Sequence, residues 1–238
     1  MNGTEATGTF SVLHVHLLGG FRLAYGDEPI TTIDTARLQS LLAYLVLHAD
    51  TPQSRERLAF FFWPDSRESQ ARTNLRQLLH QLRRTLPDAE SFLCADARTL
   101  RWRPEAPYEL DTTDFERALA RAEEAKRQGD RIGALAALEE AAVLYRGDLL
   151  PSCYEDWIEP EQERLRQRHI EGLVRLIQLL EEQRDYAGAI TYAQRLLRHD
   201  PLREDTYRSL MHLHALNGDR TSALRAEAVW WSQTAWTG

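Results

Sequence analysis

Seven side chains that can donate to an anion or to a base edge, Arg72, Thr73, Arg76, Gln77, His80, Arg83 and Arg84, lie within residues 71–86 (ARTNLRQLLHQLRRTL), a stretch without a single acid. Guanidinium groups fork onto phosphate oxygens and onto the O6/N7 edge of guanine, and Gln, Thr and His reach base edges, so the chemistry on offer is recognition of a DNA major groove. Leu75, Leu78, Leu79, Leu82 and Leu86 recur at the spacing that makes one side of a helix apolar, which predicts a helix docked on a core with its basic side outward. An isolated strip of this kind also suits a solvated surface helix in which arginine serves helix propensity. Its setting has to decide.

No other cluster offers comparable chemistry. His14 and His16 share one face of an expected strand without a third ligand nearby, and His212 and His214, two apart on a helix, do not face each other. Asp156, Glu159, Glu161 and Glu163 surround Trp157 as the acidic start of a helix. Cys94 and Cys153 form neither a CxxC pair nor a disulfide framework, and no GxxxxGK[ST] string occurs. No nucleophile, base and orienting group can be assembled, so neither enzyme activity, a cofactor nor a metal is expected.

Charge separates the chain into two halves. Residues 1–107 hold 12 basic and 12 acidic side chains, so the whole formal net charge of −7 lies beyond them. Within the neutral half, residues 51–86 carry Arg55, Arg57, Arg67, Arg72, Arg76, Arg83 and Arg84 against only Glu56, Asp65 and Glu68. A phosphate-binding face, if present, is there. No apolar run approaches the roughly 18 residues that cross a bilayer, and residues 1–8 are too short and polar for a secretory signal. A cytoplasmic protein without a membrane partner is expected.

The elements around the basic helix follow from local pattern. Residues 11–30 (SVLHVHLLGGFRLAYGDEPI) alternate or run apolar between Gly19-Gly20 and Gly26-Asp27, which predicts short antiparallel strands. Residues 35–48 place Leu38, Leu41, Leu42, Leu45 and Val46 on one stripe of a core helix. Ser54 caps a second helix that ends before Pro64, and Asp65 or Ser66 opens the third. Residues 91–94 and 99–103 read as a hairpin, with Arg98 in its turn and with Arg101 and Arg103, candidates for a backbone or minor-groove contact, flanking a core Trp102. Strands, three helices and a hairpin make a winged helix-turn-helix, with the third helix for the groove and the hairpin as wing.

Beyond Asp111 the sequence is alanine-rich, acidic and helical. GDRIGALAAL, RDYAGAITYA and GDRTSALRAE recur after Gly129, Arg184 and Gly218, and Asp185 and Asp219 are 34 apart, the tetratricopeptide period. The interval from Asp130 to Asp185 is longer by the segment YRGDLLPSCYEDWIEPEQERL, read as an insertion. The expected class is mainly α with small β: a winged helix over residues 9–106 and an all-α tetratricopeptide-like domain over residues 111–236. Trp230, Trp231 and Trp236 make an apolar tail that fits a truncated or diverged end, or a cap on the helical groove from inside.

LAFFFWPD and ARTNLRQLLHQLRR in the first half, with YRGDLLP and DWIEPEQERLR in the second, make the chain resemble the SARP-type antibiotic regulatory proteins across residues 12–226. The resemblance implies an OmpR-type winged helix followed by a bacterial transcriptional activator domain. It further implies binding of promoter direct repeats by protomers side by side, a homodimer on double-stranded DNA, and contact with RNA polymerase. Under it Arg72, Thr73, Arg76, Gln77 and His80 are the expected base readers, and Arg83, Arg84 and Arg98 the phosphate contacts. The competing expectation is a protein-interaction module, with a winged helix that does not bind DNA and a repeat groove that takes a peptide.

Overall fold

The structure is a computed structural model that describes residues 11–234; the expectations for residues 1–8, for the outer domain limits 9 and 236 and for Trp236 fall outside that range. The chain divides into two compact units, Met1–Asp111 with Leu149–Glu159, and Thr112–Asp148 with Pro160–Gly238.

The first unit opens with β1 (Leu13–His16), β2 (Arg22–Tyr25) and β3 (Glu28–Pro29), antiparallel neighbours as their alternation predicts. A later strand, β7 (Tyr108–Leu110), pairs parallel with β1, giving the order β3-β2-β1-β7. At the end of β1 the buried Asp111 carboxylate accepts the Leu17 amide at 3.0 Å and the Leu18 amide at 2.9 Å. Helix α1 (Ala36–Leu47) buries all five residues of its predicted stripe. The Ser54 hydroxyl accepts from the Arg57 amide at 3.3 Å and caps α2 (Arg55–Phe62).

Helix α3 (Glu68–Thr85) starts later than Asp65 or Ser66. Ser66 is held in a turn by its amide bond to the Trp63 carbonyl at 3.2 Å, so Arg67 becomes the N-cap without a side-chain bond, and Glu68 puts a negative charge in the first turn. The hairpin also differs from its prediction. Asp88, at φ 48°, begins a local turn in which Ser91 donates to its carboxylate at 2.6 Å, so residues 89–92 form a short helix, α4 (Ala89–Phe92). The wing strands are therefore β5 (Leu93–Ala95) and β6 (Thr99–Trp102), with the two-residue β4 (Gln53–Ser54) on the other side of β6. These helices and the three-stranded sheet are the expected winged helix-turn-helix.

Residues 149–159, expected as an insertion among the helical repeats, pack instead on the winged helix. Leu150 N–H donates to the Leu17 carbonyl at 2.9 Å. Glu155 accepts from Arg37 at 2.9 Å and from Ser40 at 2.8 Å, and Trp157 Nε1 lies 3.2 Å from the Ser40 hydroxyl. The Trp157 ring meets Tyr44 edge-on at 5.3 Å. The acidic signature around Trp157 thus holds α1 through Glu155.

The second unit is all-α: α5 (Asp111–Gln128), α6 (Arg131–Leu144), α7 (Glu159–Glu182), α8 (Tyr186–His199), α9 (Glu204–Leu216) and α10 (Arg220–Thr234). The three sequence repeats are three copies of one turn. Gly129, Arg184 and Gly218 take positive φ of 73°, 63° and 81°. The amide after each bonds back to the helix, Asp130 to the Ala125 carbonyl, Asp185 to Leu180 and Asp219 to His214, each at 2.9 Å, which is the Schellman closure. The same aspartates then cap the next helix, accepting from the Gly133, Gly188 and Ser222 amides at 2.9 to 3.0 Å. Small buried residues such as Ala118, Ala134 and Ala189 sit at the helix contacts, and Gly172 lets α7 approach α5: a Cβ there would lie 3.1 Å from Leu119 Cδ2.

Arg184 occupies the left-handed position that glycine fills in the other two turns. Arg184→Gly is expected to stabilise the second unit by about 1 kcal/mol, because relief of the Cβ clash exceeds the added freedom of the unfolded chain. A rise in the thermal midpoint checks it; a fall would show that the arginine side chain contributes more than its backbone costs.

Candidate nucleic-acid interface

Helix α3 turns Ala71, Leu75, Leu78, Leu79 and Leu82 into the core and leaves Arg72, Arg76, Gln77, His80, Arg83 and Arg84 exposed, as its sequence dictates. Thr73 is half-buried, and its hydroxyl donates to the Ser69 carbonyl at 2.9 Å, which leaves only acceptor capacity outward. Arg83 Nε stands 3.8 Å from Glu90. Among the described residues, Arg76, Arg84 and Arg98 form no ion pair.

The wing tip is a rigid presenter of Arg98. Asp96 accepts from the Arg98 amide at 2.7 Å, the Thr99 amide at 2.6 Å and the Thr99 hydroxyl at 2.7 Å. These bonds, the Thr99 hydroxyl first, favour the charged carboxylate and lower its pKa. Arg55, which sequence reasoning placed only in the general charge excess, ties α2 to this turn: its backbone amide bonds the Arg98 carbonyl and its guanidinium the Asp96 carbonyl, both at 2.9 Å.

These elements bring Arg72, Arg76 and Arg98 together with Arg55 around one groove of about 640 Å³, with Ser54 and Glu56 at the start of α2 and Leu75 completing its wall. Arg83 and Arg84 lie at the other end of α3 and do not line it. The flanking wing arginines are used within the unit. Arg101 is half-buried with Nε 3.5 Å from the Ala49 carbonyl, and Arg103 has a buried Nε and a partner in Glu105 at 3.8 Å. Arg72 is itself bracketed, by Glu56 at 3.4 Å and by Glu68 one turn earlier on α3. The signal for Arg55 was its place directly after the Ser54 cap among the arginines of residues 51–86.

No helix among the described residues is long and apolar enough to cross a membrane, and no group of three or more metal-ligating side chains occurs among them. Residues 110–227 match the family of the bacterial transcriptional activator domain. The helical half of the chain is a bacterial transcriptional activator domain. The chain is also similar in fold to the solved structure of Mycobacterium tuberculosis EmbR in complex with a low affinity phosphopeptide. The TM-score is 0.75 at 21% identity over 92% of this chain. It spans 59% of the length of the EmbR chain. No curated protein matches the sequence. The matched domain family is one of transcriptional regulators.

Proposed function

We propose that this transcriptional regulator is a sequence-specific DNA-binding activator that binds promoter direct repeats as side-by-side protomers and contacts RNA polymerase from its helical domain. In this reading residues 9–106 are an OmpR-type winged helix, residues 111–236 are the activator domain, and the protein works in the cytoplasm. The observation that carries it is the groove between α2, α3 and the wing, where Arg55, Arg76 and Arg98 converge beside the exposed outer face of residues 71–86, which carries no acid. A helix standing clear of its supports in this way fits a groove about 12 Å wide.

In this reading the roles divide by exposure along α3. Arg76, Gln77 and His80, exposed in the middle of α3, reach base edges; Arg55, Arg84 and Arg98 hold phosphate, with Arg83 beside them and Thr73 accepting from a base. Footprinting on the gene's own upstream region with a salt titration tests the reading. Log K is expected to fall with log salt at about −0.9 per phosphate engaged. Absence of a protected repeat together with a shallow salt slope would overturn it in favour of a protein-interaction module.

Within that assay Arg76→Ala is expected to cost about 1–3 kcal/mol and to relax preference at one base pair. Equal weakening on every sequence would move Arg76 to the phosphate contacts.

A further inference from the structure

Arg72 stands apart from its neighbours on α3 because two acids pair with it. Its Nη2 faces Glu56 on the first turn of α2, at 3.4 Å, and Glu68 on α3 itself. The two carboxylates and the guanidinium together carry a charge of −1 at a spot in the middle of a basic face. A phosphate approaching Arg72 meets two like charges within a few ångströms, whereas no acid among the described residues is ion-paired with Arg76 or Arg98. A base edge is neutral and meets none. Both contacts are made through Nη2, and Glu56 is exposed with a second oxygen that can accept. Arginine donors most commonly meet guanine O6 or N7, and a carboxylate beside them can accept from the N4 amine of the paired cytosine.

We infer that Glu56 is a specificity-determining residue: with Glu68 it holds Arg72 off the phosphates and turned to a base edge, so that the Arg72–Glu56 pair reads one G·C base pair in the major groove. The inference rests on the DNA-binding reading above and adds a role that a count of basic residues on α3 does not contain. It also makes an acid a contributor to selective binding of a polyanion. Removing its charge therefore has opposite effects on the two kinds of DNA contact.

The test compares the full chain with Glu56→Gln and with Glu68→Gln on its protected upstream site, on versions of that site changed at single base pairs, and on unrelated duplex. Glu56 and Glu68 are exposed at helix starts, and unchanged thermal midpoints establish that the variants fold. Glu56→Gln is expected to tighten binding to unrelated duplex, to steepen the salt slope by about 0.9 as Arg72 gains a phosphate, and to reduce discrimination at one G·C pair by roughly 5- to 150-fold. Glu68→Gln should move the same quantities in the same direction, and less, because Glu56 still restrains the guanidinium. A Glu56→Gln variant that keeps its full preference at every position, or that loses affinity equally on all duplexes, overturns the inference while the unsubstituted protein's salt slope and footprint keep the DNA reading intact. An unsubstituted protein with neither slope nor footprint overturns both.

Discussion

Trp102→Ala is expected to destabilise the first unit by about 3–5 kcal/mol, the range for deleting a buried aromatic side chain. The indole is fully buried at 0% exposure. It stacks on Phe92 at 5.5 Å and meets Tyr108 edge-on at 5.7 Å. Phe92 ends α4, and Tyr108 lies on β7 against β1, so one side chain joins the wing to the first sheet. Its loss leaves a cavity where two sheets and a helix meet, and the wing that presents Arg98 loses its anchor. DNA affinity should fall along with stability. Trp102→Phe separates packing from polarity: Nε1 is buried without a hydrogen-bond partner, so the smaller ring loses volume but also removes an unsatisfied donor. It should cost only about 1–2 kcal/mol. Urea unfolding of both variants checks this, and a Trp102→Ala loss below about 1 kcal/mol would place the indole outside the structural joint.

The contrast between Trp102 and the residues beside it shows what pattern alone conveys. Alternation along residues 99–103 made Trp102 a core residue, and it is one, because a strand's two faces are fixed by period alone. The same alternation left Arg101 and Arg103 available for DNA; their partners, Ala49 and Glu105, come from a loop and a turn that no period encodes. The α3 face was legible for the same reason as Trp102, whereas its late start depended on a turn at Trp63–Ser66. The three Asp-capped turns were visible as a repeat because each closure and cap uses residues within a few positions of one another. Residues 149–159 gave the opposite result. Their composition marked an interruption in the repeat period, but Glu155 and Trp157 take their partners from Arg37, Ser40 and Tyr44 more than a hundred residues earlier, and only the folded chain brings these together. The groove lay between these extremes: each arginine was visible, and the convergence of Arg55, Arg72, Arg76 and Arg98 was not.

The second unit is expected to lose stability in mild acid through His169. Its ring is buried at 2% exposure, stacked on Tyr145 at 4.0 Å, with His199 edge-on at 5.0 Å and Phe115 at 6.2 Å. Nε2 has no hydrogen-bond partner. Burial first, then the neighbouring His199 and Arg195, disfavour the imidazolium and push the pKa down to about 3. Burial lowers the pKa of His199 as well. In the unfolded chain a histidine takes its proton near pH 6.5. Above that pH both states are neutral and the group contributes nothing to the pH dependence. Below it the unfolded state binds a proton that the folded state refuses, so stability falls as pH drops from about 6.5 towards 3, at up to about 1.4 kcal/mol per pH unit. By about pH 4.5 the loss from His169 alone reaches roughly 2–3 kcal/mol. His169→Phe keeps an aromatic ring against Tyr145 and removes the titration. Urea midpoints followed by circular dichroism should therefore run parallel for the two proteins above about pH 7 and diverge below 6.5, with the variant the more acid-resistant. Parallel profiles throughout that window would mean that the folded unit accepts the proton, through a partner for Nε2 gained on acidification, and that the stacked histidine does not set the acid limit of this unit.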